Sequence, residues 1–152
     1  MLQKSAGIIP FRNKVSSDGQ ETDELEFFVG RPWENSDYAA FLKGGIEDGE
    51  NIEDTAIREF KEESGLPMND CNMQMLIPLG WVRQNSQKKV FAFGLHYPNI
   101  NPDVCFSNLC PNGKPEIVKY EWVTYDEIKN RTSKPHLLYY EKLIELAKSN
   151  TI

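Results

Sequence analysis

The chain has 152 residues, 39% of them hydrophobic and 26% charged, a composition that supports a packed core and excludes a disordered polymer. Its formal charge of −6 repels a phosphate backbone, which argues against stable nucleic-acid binding through a basic face. The length fits one domain over residues 1–152, and a domain of this size buries roughly 68–70% of the surface its unfolded chain exposes.

No apolar run approaches the roughly 18–20 residues of a membrane span, and the apolar part of MLQKSAGIIPF is too short for a signal peptide. The three cysteines, Cys71, Cys105 and Cys110, show no C-x-x-C spacing and leave an odd one out. That usage fits a reduced intracellular chain rather than a disulfide framework or a zinc site. A cytoplasmic protein without a membrane partner is expected.

In chain order, SAGIIPF and Arg12 form the first predicted strand, with Pro10 hinting at an edge or a bulge. A polar segment with a turn at Asp18-Gly19 leads to LEFFVGR, a buried strand. Residues 32–42 read as an irregular connection carrying Trp33, Tyr38 and Phe41. A helix is predicted over residues 52–64, with Asn51 as N-cap, Asp54 in the first turn and Gly65-Leu66-Pro67 closing it. MQMLIPLGWVRQ and KKVFAFGLHY have strand composition, and residues 85–87 suit a hairpin link. Residues 98–115 are rich in Pro and Asn and too long for a simple turn, which suggests a functional loop. IVKYEWV is a further strand, and TYDEIKN a short helix capped by Thr124 or Asp126. KPHLLYYEKLIELAKS ends the chain as an amphipathic helix packing through Leu137, Tyr140, Leu143, Ile144 and Ala147. Strands outnumber helices, and the order fits a mixed sheet covered by helices on two faces.

Residues 44–66, GGIEDGENIEDTAIREFKEESGL, hold eight acidic side chains against Arg58 and Lys61. A solvated face would explain an ordinary acidic helix; it would not explain the preceding glycines or the shortage of lysines. At about 100° per residue, Glu59, Glu62 and Glu63 share one arc of the helix, beside an apolar arc of Ile52, Ala56, Ile57 and Phe60. Hard divalent cations such as Mg2+ or Mn2+ take oxygen ligands and bridge carboxylates to phosphates. Gly44, Gly45 and Gly49 let the preceding backbone turn tightly and present carbonyls or amides inward. Arg58 can hold carboxylates in its fork, with Glu50 and Glu62 as partners.

Gly44, Glu50, Arg58-Glu59, Glu62-Glu63 and Gly65-Leu66 stand at the offsets of a complete Nudix box, so the chain resembles the Nudix hydrolase family, with likeness to MutT. LGWVRQNSQKKVFAF and PEIVKYEWV resemble a bacterial group of small Nudix phosphohydrolases. The resemblance implies an α/β/α sandwich with a mixed β-sheet. It also implies Mg2+- or Mn2+-dependent hydrolysis of a nucleoside diphosphate linked to another moiety: a nucleoside triphosphate, a dinucleoside polyphosphate, a nucleotide sugar or a capped RNA end. By the family's pattern Glu59, Glu62, Glu63 and the Gly44 carbonyl would hold metal, and Arg58 would orient them. Glu50 would buttress the loop–helix junction. A box glutamate or Glu116, expected at a strand start, would serve as base. Ala39 and Leu42 replace the tryptophan and proline that many members carry ahead of the box, while Lys43 is retained. Trp33, Tyr38, Trp81 and Phe106 are the aromatic candidates for stacking a base, with core or surface packing as the alternative; Lys43 and Arg83 are candidates for binding substrate, and Arg83 and Lys89 either meet phosphate or are plain surface charges; His96 and His136 are expected to be structural. The partner expected is a small nucleotide, with homodimerisation left open. A module that binds nucleotide without cleaving it is the alternative; such modules usually lose box carboxylates, and this chain keeps them.

Overall fold

The computed structural model describes residues 2–152, apart from the side chain of Cys71, which lies outside the described residues. Six strands form one sheet: β1 (Gln3–Val15), β2 (Glu21–Arg31), β3 (Leu42–Gly45), β4 (Ile77–Asn85), β5 (Lys88–His96) and β6 (Lys119–Thr124). Their order is β4-β5-β1-β2-β6, with β3 pairing β1 as well. The β1–β5 ladder is parallel and the others antiparallel, so the sheet is mixed, as expected.

Four helices complete the fold: α1 (Ile52–Ser64), α2 (Asp70–Gln74), α3 (Tyr125–Ile128) and α4 (Leu137–Lys148). Helix α1 covers one face, where Ala56 and Phe60 pack with Ala6, Ile8, Phe28, Leu42 and Leu95. Helix α4 covers the other, packing Tyr139, Tyr140 and Leu143 against Ile9, Phe27, Val29, Phe41 and Ala92. Each strand thus gives alternate residues to two cores, and the result is an α/β/α sandwich. Tyr139, absent from the predicted packing stripe, is fully buried and donates its hydroxyl to the Val90 carbonyl.

Three elements differ from expectation. β1 lies in the middle of the sheet, not at an edge. Pro10 is tolerated because β3 pairing ends at Ile8 and β2 pairing begins at Phe11, so its missing N–H falls where β1 changes partners. The second correction concerns Lys43-Gly44-Gly45, which is strand β3 rather than a tight turn; of the three glycines there, only Gly49 adopts a positive φ, 84°. Helix α2 is new. Asn69 and Asn72 close a reciprocal capping box around it, which holds a helix too short to show apolar periodicity.

Candidate active site

Local signals set both ends of α1. The Asn51 side chain accepts from the Asp54 amide at 2.7 Å, and Gly65 leaves the helix at φ 73° while its amide reaches the Lys61 carbonyl. The last helical carbonyls, which lack partners within the helix, are taken from outside it. Asn108 N–H donates to the Glu62 carbonyl at 2.8 Å and Phe106 N–H to the Ser64 carbonyl at 3.1 Å. The Tyr120 hydroxyl donates to the Glu63 carbonyl. The turn bearing the carboxylates is therefore clamped by the 98–118 segment and by β6.

Arg58 organises the acids. Its Nε donates to Glu50 Oε2 at 2.7 Å, its Nη2 to Glu50 Oε1 and the Gly45 carbonyl at 3.0 Å each, and its Nη1 to Glu59 Oε1 at 2.9 Å and Glu62 Oε2 at 3.2 Å. This bidentate grip holds the Glu50 carboxyl down at about 2, helped by the Glu47 backbone amide and the Thr55 hydroxyl. Glu50 thereby ties the entry loop to the helix.

Behind this fork, Glu63 is 6% exposed and its Oε1 has no hydrogen-bond partner among the described residues. Burial, then Glu59 and Glu116, push its carboxyl up to about 8, against an opposing pull from Lys43. Burial also raises Glu59, partly offset by Arg58. These carboxyls lack a full complement of positive charge, the electrostatic signature of a cation site. Among the described residues, no three His, Cys, Asp or Glu side chains are already gathered as a ligand shell. The donor set nonetheless fits a hard divalent ion: all oxygen, one atom buried and unpartnered, and a cradle in β3. That cradle is Gly44, where a Cβ would fall inside the Glu59 carboxyl group; glycine is required for closeness, since its φ is not positive.

The β3 ladder distributes the carbonyls. Ile46 N–H donates to the Lys4 carbonyl, so with Ser5↔Gly45 and Ala6↔Gly44 in register the Gly44 carbonyl turns toward Ala6. The Lys43 and Gly45 carbonyls face the opposite way, and Gly45's receives Arg58. A metal at this edge would therefore meet the Lys43 carbonyl more readily than that of Gly44, the ligand expected.

The structure brings Arg58, Glu59, Glu62, Glu63, Gly44 and Glu116 together. Glu116 lies in a loop before β6, not at a strand start; its amide donates to the Asn108 carbonyl at 3.2 Å, and its carboxyl lies against Glu63. Trp33 lines a cleft of about 1090 Å3 together with Glu116. Tyr38 is half-buried behind it, ring centroids 6.2 Å apart, its phenol beside Ser133 and Thr132; it backs Trp33 and does not line the cleft. One substrate-binding expectation is corrected. The Lys43 side chain leaves β3 on the α4 face, beside Phe41. There burial and Lys88 lower its ammonium to about 8. Arg83 is exposed and donates to Ser86 in its own hairpin; its pairing with Lys89, next to the α4-side pair Val82 and Val90, puts it on the α1 face of the sheet. Lys89 and Trp81 form a cation–π pair at 3.7 Å on that hairpin. His136 is fully buried, its imidazole lowered to about 3 by burial and then by Lys43 and Lys88. His96 is exposed, beside Phe11.

Sequence reasoning missed the Asn108 and Tyr120 clamps and a second charged cluster. Glu121 pairs with Arg31 at 3.1 Å and Arg131 at 2.5 Å. No local pattern announces contacts across 90 residues, and only the alternation of β2 and β6 places Arg31 and Glu121 on one face.

Comparison with known proteins places these features in context. The NUDIX domain family model matches residues 1–143. The mitochondrial Nudix hydrolase 18 of Arabidopsis thaliana is 43% identical over 63 residues, which is 41% of this chain and 35% of the relative; the match thus spans about a third of that protein. An RNA pyrophosphohydrolase from Wolbachia pipientis is 24% identical over 129 residues, 78% of each chain. The NUDIX hydrolase structure from Alicyclobacillus acidocaldarius covers 97% of this chain and 93% of its own, with TM-score 0.68 at 12% identity, a likeness of fold. No helix among the described residues is long and apolar enough to cross a membrane.

Proposed function

The chain is a member of the NUDIX domain family, and from that premise we propose that it is a pyrophosphohydrolase acting on a nucleoside diphosphate linked to another moiety. One observation carries the proposal: the buried Glu63 carboxyl, with an oxygen unpartnered among the described residues, is held against Glu59 and Glu116. Such an excess of carboxylate is stable only when protons or cations complete it.

Glu59, Glu62 and Glu63, with a main-chain carbonyl of Lys43 or Gly44, would hold Mg2+ or Mn2+. A bound ion would supply charge neutralisation at the pyrophosphate oxygens and a more acidic water. The protein's own groups do the rest. Arg58 fixes the directions of Glu59 and Glu62 through one nitrogen, Nη1. Glu50 locks Arg58 to the β3–α1 turn. The Glu116 carboxylate, kept beside Glu63 by the Asn108 carbonyl and the Ser107–Ile117 hydrogen bond, would accept a proton from the attacking water. The products are the two phosphorylated halves of the substrate.

The test is a panel of nucleoside triphosphates, dinucleoside polyphosphates and nucleotide sugars with Mg2+ or Mn2+, products resolved by chromatography. Cleavage at a phosphoanhydride is expected. Glu62→Gln and Glu63→Gln should lower turnover on the order of 10²–10⁴-fold. Tight nucleotide binding without turnover would instead assign a sensing module.

A further inference from the structure

Helix α1 lies over β1 and β3 and scarcely reaches β5. The α4 side of the β4–β5 hairpin is closed, with Leu79, Val82, Val90 and Ala92 in the core around Tyr139 and Leu143. Its α1 side is largely open: Pro78, Gly80, Trp81 and Arg83 are all exposed. A β-bulge shapes that open face. Leu79 and Val82 both face α4 although three residues apart, because the ladder is irregular between Pro78 and Trp81, where Gly80 takes φ 83°. Simple alternation would send Trp81 into the core with Leu79; the bulge re-aims it. Trp81 instead stands opposite Phe91 on the open face, 51% exposed.

The neighbouring rank of side chains is cationic. Arg83 pairs with Lys89 across the hairpin, and Lys89 with Lys4 across the parallel β1–β5 ladder. Lys4 shares a face with Ala6 and Ile8, and Lys89 with Phe91, all on the α1 side. The three cations therefore form one row over adjacent strands, about 10 Å from end to end at the usual strand spacing. None of them is paired with a carboxylate among the described residues. Lys89 Nζ sits over the rings, 3.7 Å from the Trp81 centroid and 5.2 Å from that of Phe91. Glu53 lines the groove at Pro78 and Phe93, four residues and about 13 Å along β5 from Lys89. Because β4 is the outermost strand, a polymer can cross this face and leave over the sheet edge.

We propose that this face binds a short stretch of single-stranded nucleic acid without cleaving it, phosphates meeting Lys4, Lys89 and Arg83 while a base stacks on Trp81. Phosphates complement the row of charge, and unstacked bases complement the rings beside it. An acidic peptide would satisfy the cations alone, and a duplex hides the base faces that Trp81 needs. The net charge of −6 keeps the association transient and salt-sensitive. Binding here goes beyond the hydrolase reading and is independent of it.

The test is fluorescence anisotropy with a 3′-labelled ten-nucleotide RNA and its DNA counterpart, each with a 5′-hydroxyl, in EDTA. Neither a phosphoanhydride nor a metal ion then draws the probe to the carboxylates. Both probes should bind saturably, since rings and cations read base faces and phosphates rather than the sugar. The log–log slope against salt should be about −2 for three phosphates. W81A should weaken binding about tenfold at an unchanged slope, abolish the quenching of tryptophan fluorescence, and be largely rescued by W81F. R83S and K89S together should bring the slope to about −0.7, and E63Q should bind as wild type does. Circular dichroism of each variant checks the fold. The duplex and a polyglutamate of equal charge should bind about tenfold more weakly or worse. No saturable binding, equal affinity for polyglutamate or duplex, or binding that survives W81A and the double variant but is lost in E63Q would overturn the proposal.

Discussion

Two guanidinium–carboxylate networks flank the sheet, with inverted stoichiometry. On the α1 side one guanidinium, Arg58, meets four carboxylates: Glu50 at 2.7 Å, Glu59 at 2.9 Å, Glu62 at 3.2 Å and Glu47 at 3.6 Å. On the α4 side one carboxylate, Glu121, meets two guanidiniums, Arg31 and Arg131. The side chains at the two hubs are about equally sheltered, Arg58 at 23% and Glu121 at 20% exposed. What differs is the surplus. The first leaves a buried carboxylate oxygen of Glu63 unpartnered; the second leaves donors, Arg31 Nε and Arg131 Nη2, buried without hydrogen-bond partners among the described residues. Ion pairs of similar geometry thus serve different ends. On the proposed function, a surplus of acid beside a glycine cradle would be completed by a cation and a phosphate, whereas Glu121 joins β2, β6 and the 131–136 segment, with Arg131 Nε also reaching the Asp37 carbonyl.

If that contrast is sound, damage to the α1 network falls on activity and damage to the other falls on stability. Of the two hubs, the larger effect on activity is expected from Arg58. Arg58→Ala should reduce turnover on the order of 100-fold, and Arg58→Lys should not restore it, because a point charge cannot bridge Glu50, Glu59 and Glu62 in one plane; steady-state kinetics beside circular dichroism would show it. Gly44→Ala forces the Glu59 carboxyl aside, and a displacement near 1 Å costs on the order of 100-fold in rate, with the melting temperature little changed. Glu121→Ala should behave in the opposite way. It strands two sheltered guanidiniums and should remove about 3 kcal/mol of stability in urea denaturation, while the folded fraction keeps its kcat.

His136 supplies a pH test on the α4 side. Its imidazole titrates near 6.5 in the unfolded chain and near 3 in the folded one. Between those values the unfolded state binds more protons. Stability present above pH 6.5 should therefore decline as the pH falls toward 3, at up to about 1.4 kcal/mol per pH unit. His136→Gln should flatten that decline in chemical denaturation across the window. The smallest effect is expected at Asn51, where Asn51→Ala removes the cap of α1 and about 1 kcal/mol.

The same contrast divides what the sequence shows from what it hides. Helix α1 was legible from end to end, because Asn51, the apolar arc and Gly65 are local signals and the box residues stand at fixed offsets. Strand β3 was not. Two glycines have little strand preference of their own, and Lys43-Gly44-Gly45 is extended because β1 pairs with it. That register then sends the Lys43 side chain to the α4 face and leaves Gly44 under Glu59. The Phe106–Gly65 contact and the Glu121 cluster join residues far apart in the chain, where no periodicity operates.

Calorimetric titration of the protein with Mn2+, in the presence of a non-hydrolysable dinucleotide, tests the central claim most directly. Saturable binding in wild type that is abolished in Glu59→Gln and Glu63→Gln, and unchanged in Glu121→Gln, is the predicted result. Binding that survives both box substitutions, or no binding in wild type, would contradict a cation site built from α1 and β3.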